Sequence, residues 1–183
     1  MAPTRVFRVR IIEVKELRLH PVPFAMQWSA GKDAALSEVP EITGELRFEG
    51  KATLVGEGMR LQGHVRGDIS PSCSRCLEPI PMTVDRDVDL LYEPEALIGD
   101  SAEVEIHPAD TEVAFFSGKG VDLEEVAREQ ILLALPMQPL CMPNCRGLCP
   151  RCGANLNQGA CACAPAADDR WSALKTLRPP QPK

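Results

Sequence analysis

The chain has 183 residues, 44% of them apolar and 4% aromatic, with a formal net charge of −6 at pH 7. That length allows one sizeable core, or a body with a small appended module. The acidic balance excludes indiscriminate attraction to phosphate backbones, and so few rings leave little on which to stack bases or sugars.

The charge is uneven along the chain. Residues 1–20 carry a net +3, the run Glu93 to Gln130 a net −9, and Cys141 to Lys183 a net +4 before any cysteine charge. The start, Met1-Ala-Pro-Thr-Arg-Val-Phe-Arg, lacks the apolar core of a signal peptide, and the longest strongly apolar run, Ile131 to Leu135, is too short to cross a bilayer. The expectation is a cytoplasmic protein with no membrane partner. In a reducing cytosol clustered cysteines are metal ligands more often than disulfides.

Residues 5–14 alternate weakly and predict an edge strand. Residues 20–40, with His20-Pro-Val-Pro23 and Gly31-Lys-Asp33, read as a linker with a helical turn near Ala34 and Leu36. From Ile42 the period is two: Leu46, Phe48, Ala52 and Leu54 share one parity, and Glu45, Arg47, Glu49 and Lys51 the other. A turn at Gly56-Glu-Gly58 leads to a second strand with Met59, Leu61, Val65 and Ile69 on one face. A third carries Ile80, Met82, Val84, Val88, Leu90 and Tyr92, with Asp85, Asp87 and Asp89 opposite. Strict alternation with one charged face predicts an antiparallel, half-solvated sheet, and the three aspartates fall on its wet side.

Residues 93–112 read as an acidic loop and Val113 to Phe116 as a short strand. Asp122-Leu-Glu-Glu125 has the form of a helix start, with Asp122 as N-cap and Glu125 reaching back. The helix near 122–135 buries Leu123, Val126, Ala127, Ile131 and Ala134 and is stopped by Pro136. Trp171, Leu174 and Leu177 predict a last short helix, and residues 179–183 a loose tail. The expected class is α+β: a body over 1–140, an antiparallel sheet with a packed helix, and a cysteine-rich zinc module over 141–178.

The cysteines carry the chemistry. All eight fall into pairs: Cys73-x2-Cys76, Cys141-x3-Cys145, Cys149-x2-Cys152 and Cys161-x-Cys163. A Cys-x2-Cys turn presents two thiolates to one tetrahedral zinc, and eight thiols make two complete tetrads. Low loop-closure entropy favours Cys149/Cys152 with Cys161/Cys163, leaving Cys73/Cys76 to meet Cys141/Cys145. The rival joins Cys73/Cys76 with Cys149/Cys152 as a split zinc ribbon. Thiolates alone do not name the metal, so an iron–sulfur centre stays open beside two zinc ions. Cys-x2-Cys also serves thiol exchange, but the turn at Cys73 and Cys76 lies between strands rather than at the helix start that lowers a thiol pKa.

Arg75, Arg146 and Arg151 stand inside the cysteine turns, where a metal would hold their backbones rigid and offer the guanidinium groups to phosphate. His64 has charged-face parity and reads as solvated, with His20 and His107 scattered elsewhere. Ser117-Gly-Lys-Gly120 lacks the frame of a phosphate loop. No residue pattern resembles a catalytic centre, and the chain is not expected to be an enzyme.

Cys73-Ser-Arg-Cys76-Leu77 after a strand resembles the Cys-x-Arg-Cys-Leu signature of the YceD family, the large ribosomal RNA subunit accumulation proteins. Leu133-Ala-Leu-Pro136-Met-x-Pro139-Leu-Cys141 and Cys145-Arg-Gly147-Leu-Cys149-Pro-x-Cys152-Gly-Ala-Asn155-Leu-Asn157 are similar to that family's C-terminal half. The likeness spans roughly residues 42–178 and departs from the usual Asp-Pro-Arg at Asp168-Asp169-Arg170. The resemblance implies a ribosome biogenesis factor supporting accumulation or processing of large-subunit ribosomal RNA. Its partner would be that RNA, a pre-ribosomal particle or a large-subunit ribosomal protein. A protein-only adaptor and a thiol redox protein using Cys73 and Cys76 are the competing readings.

Overall fold

The computed structural model describes residues 10–30, 39–95 and 113–163. Among these, β2 (Val22–Ser29), β3 (Glu41–Ile42), β4 (Glu45–Val55), β5 (Gly58–Ser70), β6 (Met82–Pro94) and β7 (Val113–Phe116) form a six-stranded sheet. The path runs β2-β4-β5-β6-β7, and β3 pairs with β5 beyond the end of β4. A separate two-stranded ladder joins β1 (Ile11–Glu13) to β8 (Gly120–Asp122), with α1 (Val14–Leu17) and α2 (Leu123–Ala134) as the described helices. The class is α+β.

The sheet follows from the alternation. Leu46, Phe48, Ala52, Leu61, Val65 and Ile69 are fully buried, whereas Arg47, Glu49, Lys51, Arg60 and Arg66 on the other parity are exposed. α2 lies over the buried face through Leu123, Val126, Ala127 and Ile131, all part of the same core. The wet face is tied by cross-strand pairs rather than by a metal. Arg60 holds Asp89 with two bonds of 2.7 Å, and His64 lies 3.0 Å from Asp85 and 2.8 Å from Asp87. The Arg60 guanidinium, helped by Gln62, pulls Asp89 down to about 2.

Several expectations need correction. The stretch read as a linker contains β2, whose Val22, Phe24, Met26 and Trp28 are buried at period two. Pro23 is compatible with a strand there because among the described residues β2 pairs only with β4, and an edge strand has one side free of ladder bonds. The sheet is mixed rather than purely antiparallel, because β7 runs parallel to β6. The connection over 95–112 is long enough for the crossover that parallel pairing requires. Of the N-terminal strand, the described part is β1, which lies outside the main sheet and gives way to α1 at Val14. Leu54 shares the core parity but is exposed near the end of β4. Asp122 caps α2 by accepting the Glu124 N–H at 2.9 Å, whereas Glu125 lies 3.9 Å from Arg128 instead of reaching back. Residues 5–9, the turn near Ala34 and Leu36, the acidic loop over 96–112, the helix with Trp171, Leu174 and Leu177, and the tail lie outside the described residues.

Two rings of the sheet core, Phe24 and Phe48, meet edge to face with centroids 4.9 Å apart. Close approach between strands requires Gly67, where a Cβ would stand 2.6 Å from Leu46 Cδ1 and 2.7 Å from Leu46 Cα. Backbone must shift to relieve that overlap, so Gly67→Ala is expected to destabilise the fold by about 1–3 kcal/mol. Chemical denaturation followed by far-UV circular dichroism measures it, and an unchanged midpoint would contradict this packing.

Candidate metal centres

The connection from β5 to β6 is a knuckle rather than a simple turn. A bridge between Ser72 and Pro79 closes its base, with Cys73 N–H donating to Glu78 O at 2.8 Å and Leu77 N–H to Cys73 O at 3.0 Å. Cys73 and Cys76 are thereby buried, and with Cys145 they form a small core packed by Ile80, Leu140 and Leu148. After α2 the chain returns to this knuckle. Ser74 N–H donates to Pro139 O at 2.8 Å, and Cys141 N–H to the Cys73 sulfur at 3.5 Å. The four Sγ atoms of Cys73, Cys76, Cys141 and Cys145 lie within 4.8 Å of one another.

The second group is local. A bridge between Leu148 and Asn155 frames a tight hairpin in which Cys149 N–H donates to Ala154 O at 2.8 Å and Gly153 N–H to Cys149 O at 2.9 Å. Cys149, Cys152, Cys161 and Cys163 bring their sulfurs equally close, within 4.8 Å. The two knuckles share one geometry. The residue after the second cysteine has positive φ in both, +62° at Leu77 and +72° at Gly153. Glycine takes that conformation without cost, whereas a leucine there is uncommon.

The donor sets fit a tetrahedral metal. Four thiolates at about 2.3 Å from one ion stand about 3.8 Å from each other. Cys73 and Cys145 are 3.8 Å apart and Cys76 and Cys141 3.6 Å, far beyond a disulfide bond. The division is the one that short loops favour, and the split ribbon is not formed. The two groups can therefore hold two metal ions.

Their electrostatics also favour a cation. N–H donation from Cys76 and Cys141 lowers the Cys73 thiol to about 6, and donation from Cys152 and Arg151 lowers Cys149 to about 6. Burial, reinforced by the neighbouring sulfurs, pushes Cys141 up to about 12, and Cys152 with burial does the same to Cys163. In each tetrad one sulfur is ready to ionise while another resists adding charge beside it. A divalent cation removes that conflict by displacing the remaining protons.

Asn155 and Asn157 act at these centres although their residue type and spacing mark them only as turn formers. Asn157 donates through Nδ2 to the Cys145 sulfur at 3.2 Å, a contact that lowers the Cys145 thiol, and accepts the Arg146 N–H through Oδ1 at 2.8 Å. Asn155 donates to Glu78 at 3.2 Å and accepts the Asn157 N–H at 3.0 Å. The hairpin of the second centre thus rests directly on the first. Of the three arginines, Arg75 donates to Cys145 O at 2.9 Å and receives the Leu148 N–H on its carbonyl at 3.1 Å. Its guanidinium thus ties the first knuckle to Cys145, and its carbonyl ties that knuckle to the base of the second hairpin. Arg146 and Arg151 are exposed, and their side chains have no hydrogen-bond partner among the described residues.

Outer contacts that orient metal ligands contribute about tenfold to a hundredfold in affinity. Asn157→Ala is expected to weaken metal binding at the first centre by about that factor. Competition with a chromophoric chelator measures it, as the loss of one metal equivalent at lower chelator strength while the second keeps its wild-type affinity. Wild-type affinity in the variant would reduce Asn157 to a space filler.

Among the described residues no helix is long and apolar enough to cross a membrane. A family model described as "Large ribosomal RNA subunit accumulation protein YceD" matches residues 61–178. A Mycobacterium tuberculosis protein of uncharacterised function is 30% identical over 128 residues, covering 69% of this chain and 59% of the relative. A Zea mays protein named large ribosomal RNA subunit accumulation protein YCED homolog 1, chloroplastic, is 30% identical over 140 residues, covering 64% of this chain and 48% of the relative. Its Arabidopsis thaliana counterpart is 26% identical over 142 residues, covering 66% of this chain and 44% of the relative. The chain therefore spans about half to three fifths of the curated relatives it matches. No solved structure matches it.

Proposed function

The chain belongs to the YceD family of large ribosomal RNA subunit accumulation proteins, and from that membership we propose that it is a non-enzymatic ribosome biogenesis factor. It supports accumulation or processing of large-subunit ribosomal RNA by binding pre-ribosomal RNA or an early large-subunit particle. It acts in the cytoplasm, and its two thiolate tetrads hold zinc. The ions do no chemistry; they fix the knuckles from which Arg146 and Arg151 reach phosphate.

The observation that carries this reading is the pair of exposed guanidinium groups, without a partner among the described residues, on turns that a metal in the tetrads would hold rigid. A rigid base lowers the ordering cost of a phosphate contact, and arginine's planar fork suits phosphate oxygens. A dithiol redox role is disfavoured by burial. Cys73 has no exposed surface, and exchange needs an accessible sulfur.

Arg146→Glu/Arg151→Glu is expected to reduce co-sedimentation with large-subunit precursor particles while leaving metal content unchanged. On naked single-stranded RNA it should also flatten the slope of log affinity against log salt by about 1.4, two phosphate contacts' worth. Undiminished co-sedimentation with a full metal complement would remove this surface. It would leave the protein-only adaptor as the reading.

A further inference from the structure

The two tetrads differ in what solvent can reach. In the first, Cys73, Cys76 and Cys145 are buried and packed by Ile80, Leu140 and Leu148, so that Cys141 alone is exposed. In the second, Cys149 alone is buried, Cys152 is exposed, and Cys161 and Cys163 are half-buried. The backbones around them differ as well. Cys73 is held by its own knuckle at both N–H and carbonyl, and the Cys141 N–H is engaged with the Cys73 sulfur. In the second centre the Gln158 N–H donates to Asn155 O at 3.1 Å, but among the described residues no backbone hydrogen bond holds 159–163. That segment meets the hairpin through the sulfurs of Cys161 and Cys163.

Oxidation of a thiolate to a disulfide needs an approach for the oxidant and a second sulfur that resolves the first product. Cys152 offers the approach. Cys163 supplies the second sulfur, and its foremost contact within the tetrad is with Cys152. The four sulfurs lie within 4.8 Å of one another, whereas a disulfide bond is about 2 Å long. The 159–163 segment can close that gap without breaking a backbone hydrogen bond. Cys141 is exposed too, but every sulfur beside it belongs to a packed core that would have to open before one could resolve it.

We propose that the second centre is an oxidation site, at which a hydroperoxide joins Cys152 to Cys163 as a disulfide while the first centre stays intact. The Cys152 thiolate attacks a peroxide oxygen and the O–O bond breaks. Cys152 becomes a sulfenic acid, and the departing alkoxide or hydroxide takes a proton from water. The Cys163 thiolate then attacks the Cys152 sulfur, forming the S–S bond and expelling hydroxide. Each sulfur loses one electron, and the peroxide bond accepts both. Cys149 and Cys161 remain as donors, too few for a structural metal site. A small thiol reverses the reaction by exchange at the exposed Cys152 sulfur. The inference rests on metal occupancy of the tetrads and is independent of what Arg146 and Arg151 touch.

Full-length protein, its metal content measured beforehand, is treated with hydrogen peroxide in the presence of a chromophoric chelator. Differential alkylation and peptide fragmentation then locate the oxidised cysteines. The expected result is release of one of the two metal equivalents, with oxidation confined to Cys152 and Cys163. Dithiothreitol and added metal should restore both. Dimedone present during the reaction should tag Cys152 rather than Cys141. Simultaneous release of both metals, a disulfide within any other pair, or eight reduced thiols after a treatment that oxidises a zinc-loaded Cys-x2-Cys peptide would each overturn the proposal. Protein that carries no metal before peroxide is added would instead remove the premise, the occupied tetrads themselves.

Discussion

Four sulfurs drawn from two distant parts of the chain have to converge on one point, and most of the geometry beyond the sheet follows from that requirement. Cys76 and Cys141 are 65 positions apart, yet their sulfurs stand 3.6 Å from each other. Between them lie β6, β7, β8 and α2. Closing so long a loop carries an entropy cost, and crowding ionised sulfurs together adds repulsion. A divalent cation bound there would offset both, because its affinity for deprotonated sulfur becomes folding free energy. It would fasten the end of the β5–β6 hairpin to the exit of α2.

The two centres divide the labour. The first is buried, spans the chain, and packs against Ile80, Leu140 and Leu148 as a small core of its own. The second is formed within 149–163 and keeps Cys152 exposed. Asn157, Asn155 and Arg75 connect them, so the short hairpin of the second centre is seated on the ligands of the first. This arrangement leaves Arg146 and Arg151 facing outward from fixed backbone.

Where a side-chain pattern and a structural period coincide, the sequence is legible. Leu46, Phe48, Leu61, Val65, Val84 and Val88 alternate with interruptions only at Gly50, Gly63 and Arg86, and their strands are readable from that. Val22, Phe24, Met26 and Trp28 alternate equally well, but Pro21 and Pro23 mask the signal because proline usually breaks a strand. The parallel pairing of β7 is not legible, since four residues carry no information about direction. The division of the cysteines is legible from loop length. The parts played by Asn155, Asn157 and Arg75 are not, because each depends on which sulfur or carbonyl the fold brings near.

The central claim is that bound cations hold the eight sulfurs in two tetrads. Elemental analysis of the purified full-length protein, combined with X-ray absorption at the metal edge, tests it most directly. The expected result is two zinc ions per chain, each with four sulfur neighbours at about 2.3 Å. A folded, metal-free protein in which all eight thiols react freely would contradict it.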